Sequence, residues 1–381
     1  MNMRWIVLAC LAAVPARSEL PTDTLGQVET LPATYPPHWV LAQDSAFFHL
    51  IDGRVVVLDL DADSAQARYK GMFNTSLIAP FAQAVSRPEM YSADTFYSRG
   101  QRGDRTDVLT IIDKRTLAPI GEVALPTGKR ASTIPQRQSL VLVNGERWAL
   151  IFNLNPATSA SVVDVVERKY LNDIPIPGCG LILPTGERGF SSLCADGTLY
   201  TVQLDEQAQI ASTSRTARFF DVDKDALFEK PAWVGGTAYL PSFNGNLVPV
   251  DLRADKPRIG KAFSLLDKDT AGWRPGGMQL IGEDANGRIY ILMHPEGREG
   301  SHKDPGAEVW VFDPLKKKRV QRIALEKPAI SISLTRDGDA PMLVATTIDM
   351  TLAVYSATDG RFVREISGFG AETPFLVWGA R

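Results

Sequence analysis

Four runs, Ile330-Ser331-Ile332-Ser333-Leu334, Met342-Leu343-Val344-Ala345-Thr346-Thr347, Leu352-Ala353-Val354-Tyr355-Ser356 and Phe362-Val363-Arg364-Glu365-Ile366, follow one another within residues 330–366. Each is too short for a helix, and polar segments holding Asp337-Gly338 and Asp359-Gly360 lie around and between them. Short apolar runs bounded by turn-forming residues are strands. Four strands in series make one antiparallel sheet. A single twisted sheet of this size cannot bury both faces, so it needs copies of itself to pack against.

Working outward, the chain repeats the second half of that pattern: an apolar strand ending near an acidic or small residue, a polar turn, then a returning strand. The copies run 55–59 returning at 67–72, 109–113 at 120–125, 161–164 at 170–174, 199–205 at 210–214, 247–251 at 259–263, 309–313 at 320–325, and 352–357 at 362–366. Their anchors, Asp59, Asp113, Asp164, Asp205, Asp251, Asp313 and Ala357, stand about 40 to 60 residues apart, the period of a propeller blade with loop insertions. The expected fold is an all-β, seven-bladed β-propeller with four-stranded antiparallel blades, over residues 38–381. A final apolar run, Phe375-Leu376-Val377-Trp378, is placed to pair with the first blade near residues 38–41 and lock the ring.

Of the 381 residues, 44% are hydrophobic and 22% charged, which suits a large packed core. A net charge of −3 gives no electrostatic case for nucleic acid or an anionic membrane. At the start, Arg4 precedes an apolar run over 5–14, and Val14-Pro15-Ala16 offers small residues for cleavage. Ten apolar residues are too few to span a bilayer, so residues 1–18 read as an export signal, with a lipoprotein signal ending at Cys10 as the alternative. Residues 19–37 hold Pro21, Pro32, Pro36 and Pro37 and cannot form a central strand. They are either a loose tail or an arm laid across a partner subunit.

With Cys10 removed, Cys179 and Cys194 remain as an even pair in an oxidising compartment. They either bridge, which would stabilise by on the order of 3 kcal/mol, or stay as buried thiols. Two cysteines without nearby histidines do not make a zinc site. His294 and His302 are separated by a stretch holding Pro295, Gly297 and Gly300, a loop spacing and not a ligand face, so no metal is expected. No nucleophile elbow, phosphate loop or dinucleotide fingerprint occurs in a strand-to-helix setting. The repeated aspartates most simply satisfy turn backbone. Three segments stand out: Gly272-Trp273-Arg274-Pro275-Gly276-Gly277, a packed turn or a contact loop; Arg99-Gly100-Gln101-Arg102-Gly103-Asp104-Arg105-Thr106-Asp107, a charged hairpin; and Gly71-Met72-Phe73-Asn74, where Phe73 is either core or functional.

These segments carry a resemblance. Met293-His294-Pro295-Glu296-Gly297-Arg298-Glu299-Gly300-Ser301-His302-Lys303 with Ala307-Glu308-Val309-Trp310-Val311, the 273–277 loop, Cys179 with Pro184-Thr185, Cys194-Ala195-Asp196-Gly197, and Arg102-Gly103 with Arg105-Thr106-Asp107-Val108 are ordered as in one family. The chain resembles the heavy subunit of the quinoprotein amine dehydrogenases, closer to aromatic (aralkyl) amine dehydrogenase than to methylamine dehydrogenase, from about residue 40 to the end. The resemblance implies a seven-bladed propeller paired with a small, disulfide-dense light subunit, usually as two heavy and two light chains. That partner would hold tryptophan tryptophylquinone and the catalytic base. The complex would deaminate primary amines in the periplasm and pass electrons to a cupredoxin such as azurin or amicyanin. No cofactor and no catalytic residue is then expected in this chain.

By the same resemblance, the disulfide falls on Cys179 and Cys194, and Phe73 matches a phenylalanine that overhangs the quinone, with Leu77 as second candidate if the register slips. Trp273, Arg274, Arg102, Arg105 and His302 become candidate partner contacts. Met278 stands where a second aromatic is common. The competing reading is a non-catalytic periplasmic propeller that binds or assembles other proteins.

Overall fold

Asp59, Asp113, Asp164, Asp205, Asp251 and Asp313 each aim one carboxylate oxygen at main-chain N–H groups two to four residues further on, for example Arg115 and Thr116 at 2.8 and 2.9 Å from Asp113. Each carboxylate supplies acceptors that a tight turn otherwise leaves to water, which is why the repeat keeps an acid at this place. The strands on either side are therefore delivered into antiparallel pairs at a fixed register. In a computed structural model that describes residues 30–50, 52–129, 136–370 and 372–381, these pairs build a β-propeller of four-stranded antiparallel blades. Residues 1–18, read as an export signal, and the first part of the arm lie outside the described residues.

Four of the sheets are separate and four-stranded. One runs in the order Thr373–Gly379, Trp39–Ser45, Gly53–Asp59, Tyr69–Thr75, and the next joins Phe81–Gln83, Glu89–Arg99, Arg102–Asp113 and Pro119–Ala124. Leu140–Val143 to Lys169–Pro175 and Cys179–Thr185 to Ile210–Arg215 form the third and fourth. A fifth sheet, from Ala232–Val234 to Arg258–Ile259, carries its outer edge in two short pieces, Arg258–Ile259 and Phe263–Ser264. The remaining strands form one eight-stranded sheet. The expectation of seven separate sheets is thus corrected to six among the described residues. The cause is Lys318–Leu334, a 17-residue strand that pairs with Gly306–Asp313 and then with Met342–Thr347. Pro328 lacks an N–H, yet it is tolerated because the ladder to Gly306–Asp313 steps from Ala324 to Ala329 and skips it.

The ring is locked where the sequence expects. Val40, Leu41, Ala42 and Gln43 pair with Gly379, Trp378, Val377 and Leu376, so the last strand becomes the innermost strand of the first sheet. Trp39–Ser45 is thereby paired on both sides, by Thr373–Gly379 and by Gly53–Asp59, and presents no open edge.

Apolar residues pack between neighbouring sheets. Val40, Val56 and Leu58 of the first sheet meet Val344, Leu352 and Val354 of the sheet before it, and Leu183, Leu193 and Leu199 meet Ala238, Leu240 and Val250. Burying a Val or Leu in this way contributes about 1.5–3 kcal/mol each. The inner strands, from Gln83 through Leu140, Pro184, Trp233, Glu283 and Ser333 to Trp378, surround one axial cavity of about 340 Å³. The end of the arm is docked on its own chain: Leu31 and Tyr35 are buried, and the Tyr35 hydroxyl donates to the Lys114 carbonyl at 2.5 Å.

Candidate functional site

Strand direction decides which loops share a face. In the second sheet Glu89–Arg99 runs up, Arg102–Asp113 runs down and Pro119–Ala124 runs up again. The hairpins between second and third strands and the crossovers from one sheet to the next therefore meet at one end of the ring, with the aspartate turns at the other. Arg102 and Arg105 (hairpin), Leu77 (crossover 76–80), Trp273 and Arg274 (crossover before Ile281–Glu283) and His302 (hairpin after Ile289–His294) all belong to the first end. The sequence singled them out separately; topology gathers them.

Two of the marked segments form one surface. Arg274 and Pro275 pair with His294 and Met293, the Gly297 N–H donates to the Gly272 carbonyl at 2.8 Å, and the Gly277 N–H to the His302 carbonyl at 3.1 Å. Gly277 has φ +113°, and a Cβ there would sit 2.6 Å from the Ile330 carbonyl oxygen, so only glycine fits. Trp273 is half-buried and lies 5.1 Å from the ring of Trp310. The Arg322 guanidinium stands 5.1 and 5.2 Å from the two rings and grips Glu308 with two bonds of 2.7 and 2.8 Å, while the Trp310 indole N–H donates to the same carboxylate. Burial pushes the Glu308 carboxyl up, but the bonds from Arg322 and Trp310 outweigh it and hold it below the usual range. Trp273 is thus a packed indole, the first of the two readings of its loop.

His294 and His302 differ in burial. His294 is buried, with Nε2 lacking a hydrogen-bond partner, and burial pushes its imidazole below the ordinary value, so it is neutral at pH 7. His302 is exposed. Among the described residues no three His, Cys, Asp or Glu side chains gather as metal ligands.

Arg102 is exposed near the tip of the long hairpin, and Arg105 is half-buried, held to Asp107 at 2.8 and 2.9 Å. Phe73 lies inside Tyr69–Thr75, is 6% exposed, and packs its ring 6.0 Å from that of Phe81 in a core shared by the first two sheets. Leu77 is also buried, but it stands in the crossover itself. Cys179 and Cys194 are bonded and lie opposite each other in the two inner strands of the fourth sheet.

Sequence reading missed a further set. Phe48 (74% exposed), Leu50, Phe96, Leu154 and Ile348 are large apolar side chains open to solvent at the same end of the ring. Phe48, Leu50, Leu154 and Ile348 follow the second strand of their repeat, and Phe96 lies near the end of one. An isolated apolar residue just past the second strand, in three of the repeats, was the available signal. Val85, Val166 and Leu315 are exposed at the aspartate-turn end, so such side chains are not confined to one face.

No helix among the described residues is long and apolar enough to cross a membrane. The fold is also found in a putative 6-phosphogluconolactonase from Bacteroides fragilis, with a TM-score of 0.58 at 12% identity over 89% of this chain and 96% of that one. In sequence, the methylamine dehydrogenase heavy chain of Methylophilus methylotrophus is 27% identical over 314 residues, covering 81% of this chain and 76% of the relative. That of Paracoccus versutus is 25% identical over 337 residues, covering 87% and 77%. The family model described as methylamine dehydrogenase heavy chain matches residues 38–378. A match that spans the whole ring and every segment above makes this chain a member of the methylamine dehydrogenase heavy-chain family.

Proposed function

We propose that this chain is the heavy subunit of a periplasmic, tryptophan tryptophylquinone-dependent amine dehydrogenase that converts primary amines, of aromatic or aralkyl type, to aldehyde and ammonia. The observation that carries this reading is the family match over residues 38–378. In it the quinone and the catalytic base belong to a small light subunit, electrons leave to a cupredoxin such as azurin or amicyanin, and two heavy chains join two light ones. The eight-stranded sheet is joined through Lys318–Leu334, and reading it as two blades supports a seven-bladed ring. Residues 1–18 act as the export signal and 19–37 as an arm.

The chain's own part is scaffold and channel wall. A rigid ring end, with Trp273, Arg274, Arg102, Arg105 and His302 beside the exposed Phe48, Leu50, Phe96, Leu154 and Ile348, offers apolar anchors within a polar rim, the composition of a protein interface. Burying the reacting groups of the partner against it excludes water and strengthens every polar interaction inside. Of the two channel-wall candidates, Leu77 is favoured by its place in a crossover at that end, and Phe73 by its aromatic ring.

The test is purification of the native assembly. A small second chain with visible quinone absorbance should accompany this one, and amines should drive dye reduction, aralkyl amines faster than methylamine. Isolation of this chain alone, without amine turnover, sinks the proposal; turnover of methylamine in preference narrows it to the other branch of substrates.

A further inference from the structure

The axial cavity is more cationic than a structural void needs to be. Three guanidinium groups, Arg137, Arg336 and Arg381, line it, against two carboxylates, Glu146 and Glu283. Both carboxylates are already engaged. Glu146 accepts from the main-chain N–H groups of Val85 and Ser86 at 2.8 Å, and Glu283 accepts from the Trp233 N–H at 3.0 Å. The main-chain oxygen of Arg381 takes the Lys114 ammonium at 2.8 Å. Arg137 reaches over from the third sheet: Nη2 donates to the Val377 carbonyl at 2.6 Å and to Ser333 Oγ at 3.1 Å, and its guanidinium lies 5.0 Å from the centre of the Trp378 ring. Its Nε and Oε1 of the adjacent Gln138 are shielded and have no partner.

We propose that this cavity is a binding site for a small oxyanion, carboxylate or phosphate in type, held by Arg336 and Arg381 with Arg137 behind them. Guanidinium forks match the paired oxygens of such groups and bind them through two bonds at once, which a halide cannot exploit. In a confined site one uncompensated cation is costly, and a bound monoanion removes that cost. Access exists, because Arg381 is exposed at the rim while Arg137 and Arg336 are half-buried within. Burial pushes Arg137 down to about 10, with Arg336 and Arg381 adding to the fall and Glu283 opposing it, as expected where like charges are crowded. Arg381 is likewise pushed down to about 10. By strand direction, Gln83, Glu283, Arg336 and Arg381 lie at or past the ends of the inner strands, at the aspartate-turn end, while Arg137 enters from the crossover before Leu140–Val143.

The test uses the full chain, with its light subunit if the two copurify, in chloride-free buffer with ionic strength held by fluoride. Inorganic phosphate and acetate are each titrated by calorimetry and by Trp fluorescence, and melting is followed in parallel. Saturable binding at one site per chain is expected, with a melting temperature that rises with ligand as linkage requires. Arg336→Gln should weaken binding at least tenfold while melting no lower than wild type without ligand, because it removes like-charge repulsion. If Arg336→Gln fails to fold, Arg381→Gln at the exposed rim carries the same expectation. Absence of saturable binding to wild type, or unchanged affinity in the folded variants, overturns the site.

Discussion

Leu41 lies directly opposite Trp378 in an antiparallel ladder, although the two stand near opposite ends of the chain. The Trp378 ring also meets Phe81 of the next sheet edge-on at 5.6 Å and carries the Arg137 guanidinium. One side chain thus joins the closing strand to the second sheet and to the segment that enters the third.

Trp378→Ala should therefore lower unfolding free energy by about 3 kcal/mol, from lost packing and lost aromatic contacts. Denaturant titration followed by far-UV circular dichroism measures it. A loss below about 1 kcal/mol would mean that the seam draws its strength from backbone pairing alone.

Phe73 and Leu77 should separate by phenotype. Phe73→Ala empties a core position and is expected to cost about 3–5 kcal/mol. Leu77→Ala should shift the relative rates on small and aralkyl amines in the assembled enzyme. Equal rate ratios in wild type and Leu77→Ala would move the channel wall back to Phe73 or to another residue.

Lys114 is 1% exposed and donates to the main-chain oxygens of Ala84 and Arg381. Burial pushes its ammonium down to about 8, with Arg381 adding to the fall and Glu146 opposing it. Its folded pKa is then below the unfolded value, so between these two the unfolded chain binds more protons and stability rises with pH. Melting of wild type relative to Lys114→Met should improve from pH 8 towards pH 10. A flat difference would show that the ammonium is solvated.

Removal of the disulfide by the Cys179→Ala, Cys194→Ala pair should lower stability by about 3 kcal/mol, the chain-entropy value for a loop of this size. Chemical unfolding with and without reductant gives the same comparison in the native chain. Agreement between the two would assign the effect to the cross-link and not to the new side chains.

The strands and the closing seam were legible because they depend on local alternation and turn chemistry. Phe362–Ile366 coincides with the run quoted at the outset, and six of the seven anchor residues hold their turns by the carboxylate bonds that the repeat suggested. Sheet count was not legible, because Pro328 reads as a break in sequence and is bypassed only by the ladder's irregular register. The cluster of Arg137, Arg336 and Arg381 was hidden for a different reason: residues distant in sequence converge on an axis that exists only once the ring is shut. Tyr35 likewise looked like part of a proline-rich tail, and its docking depends on a carbonyl from another sheet.

Lys318–Leu334 has a mechanical consequence. Elsewhere a loop of several residues separates adjoining sheets and can absorb small shifts, whereas here one strand is shared by two of them. A shift of Gly306–Asp313 is therefore passed to Met342–Thr347 through a shared strand and not through a loop.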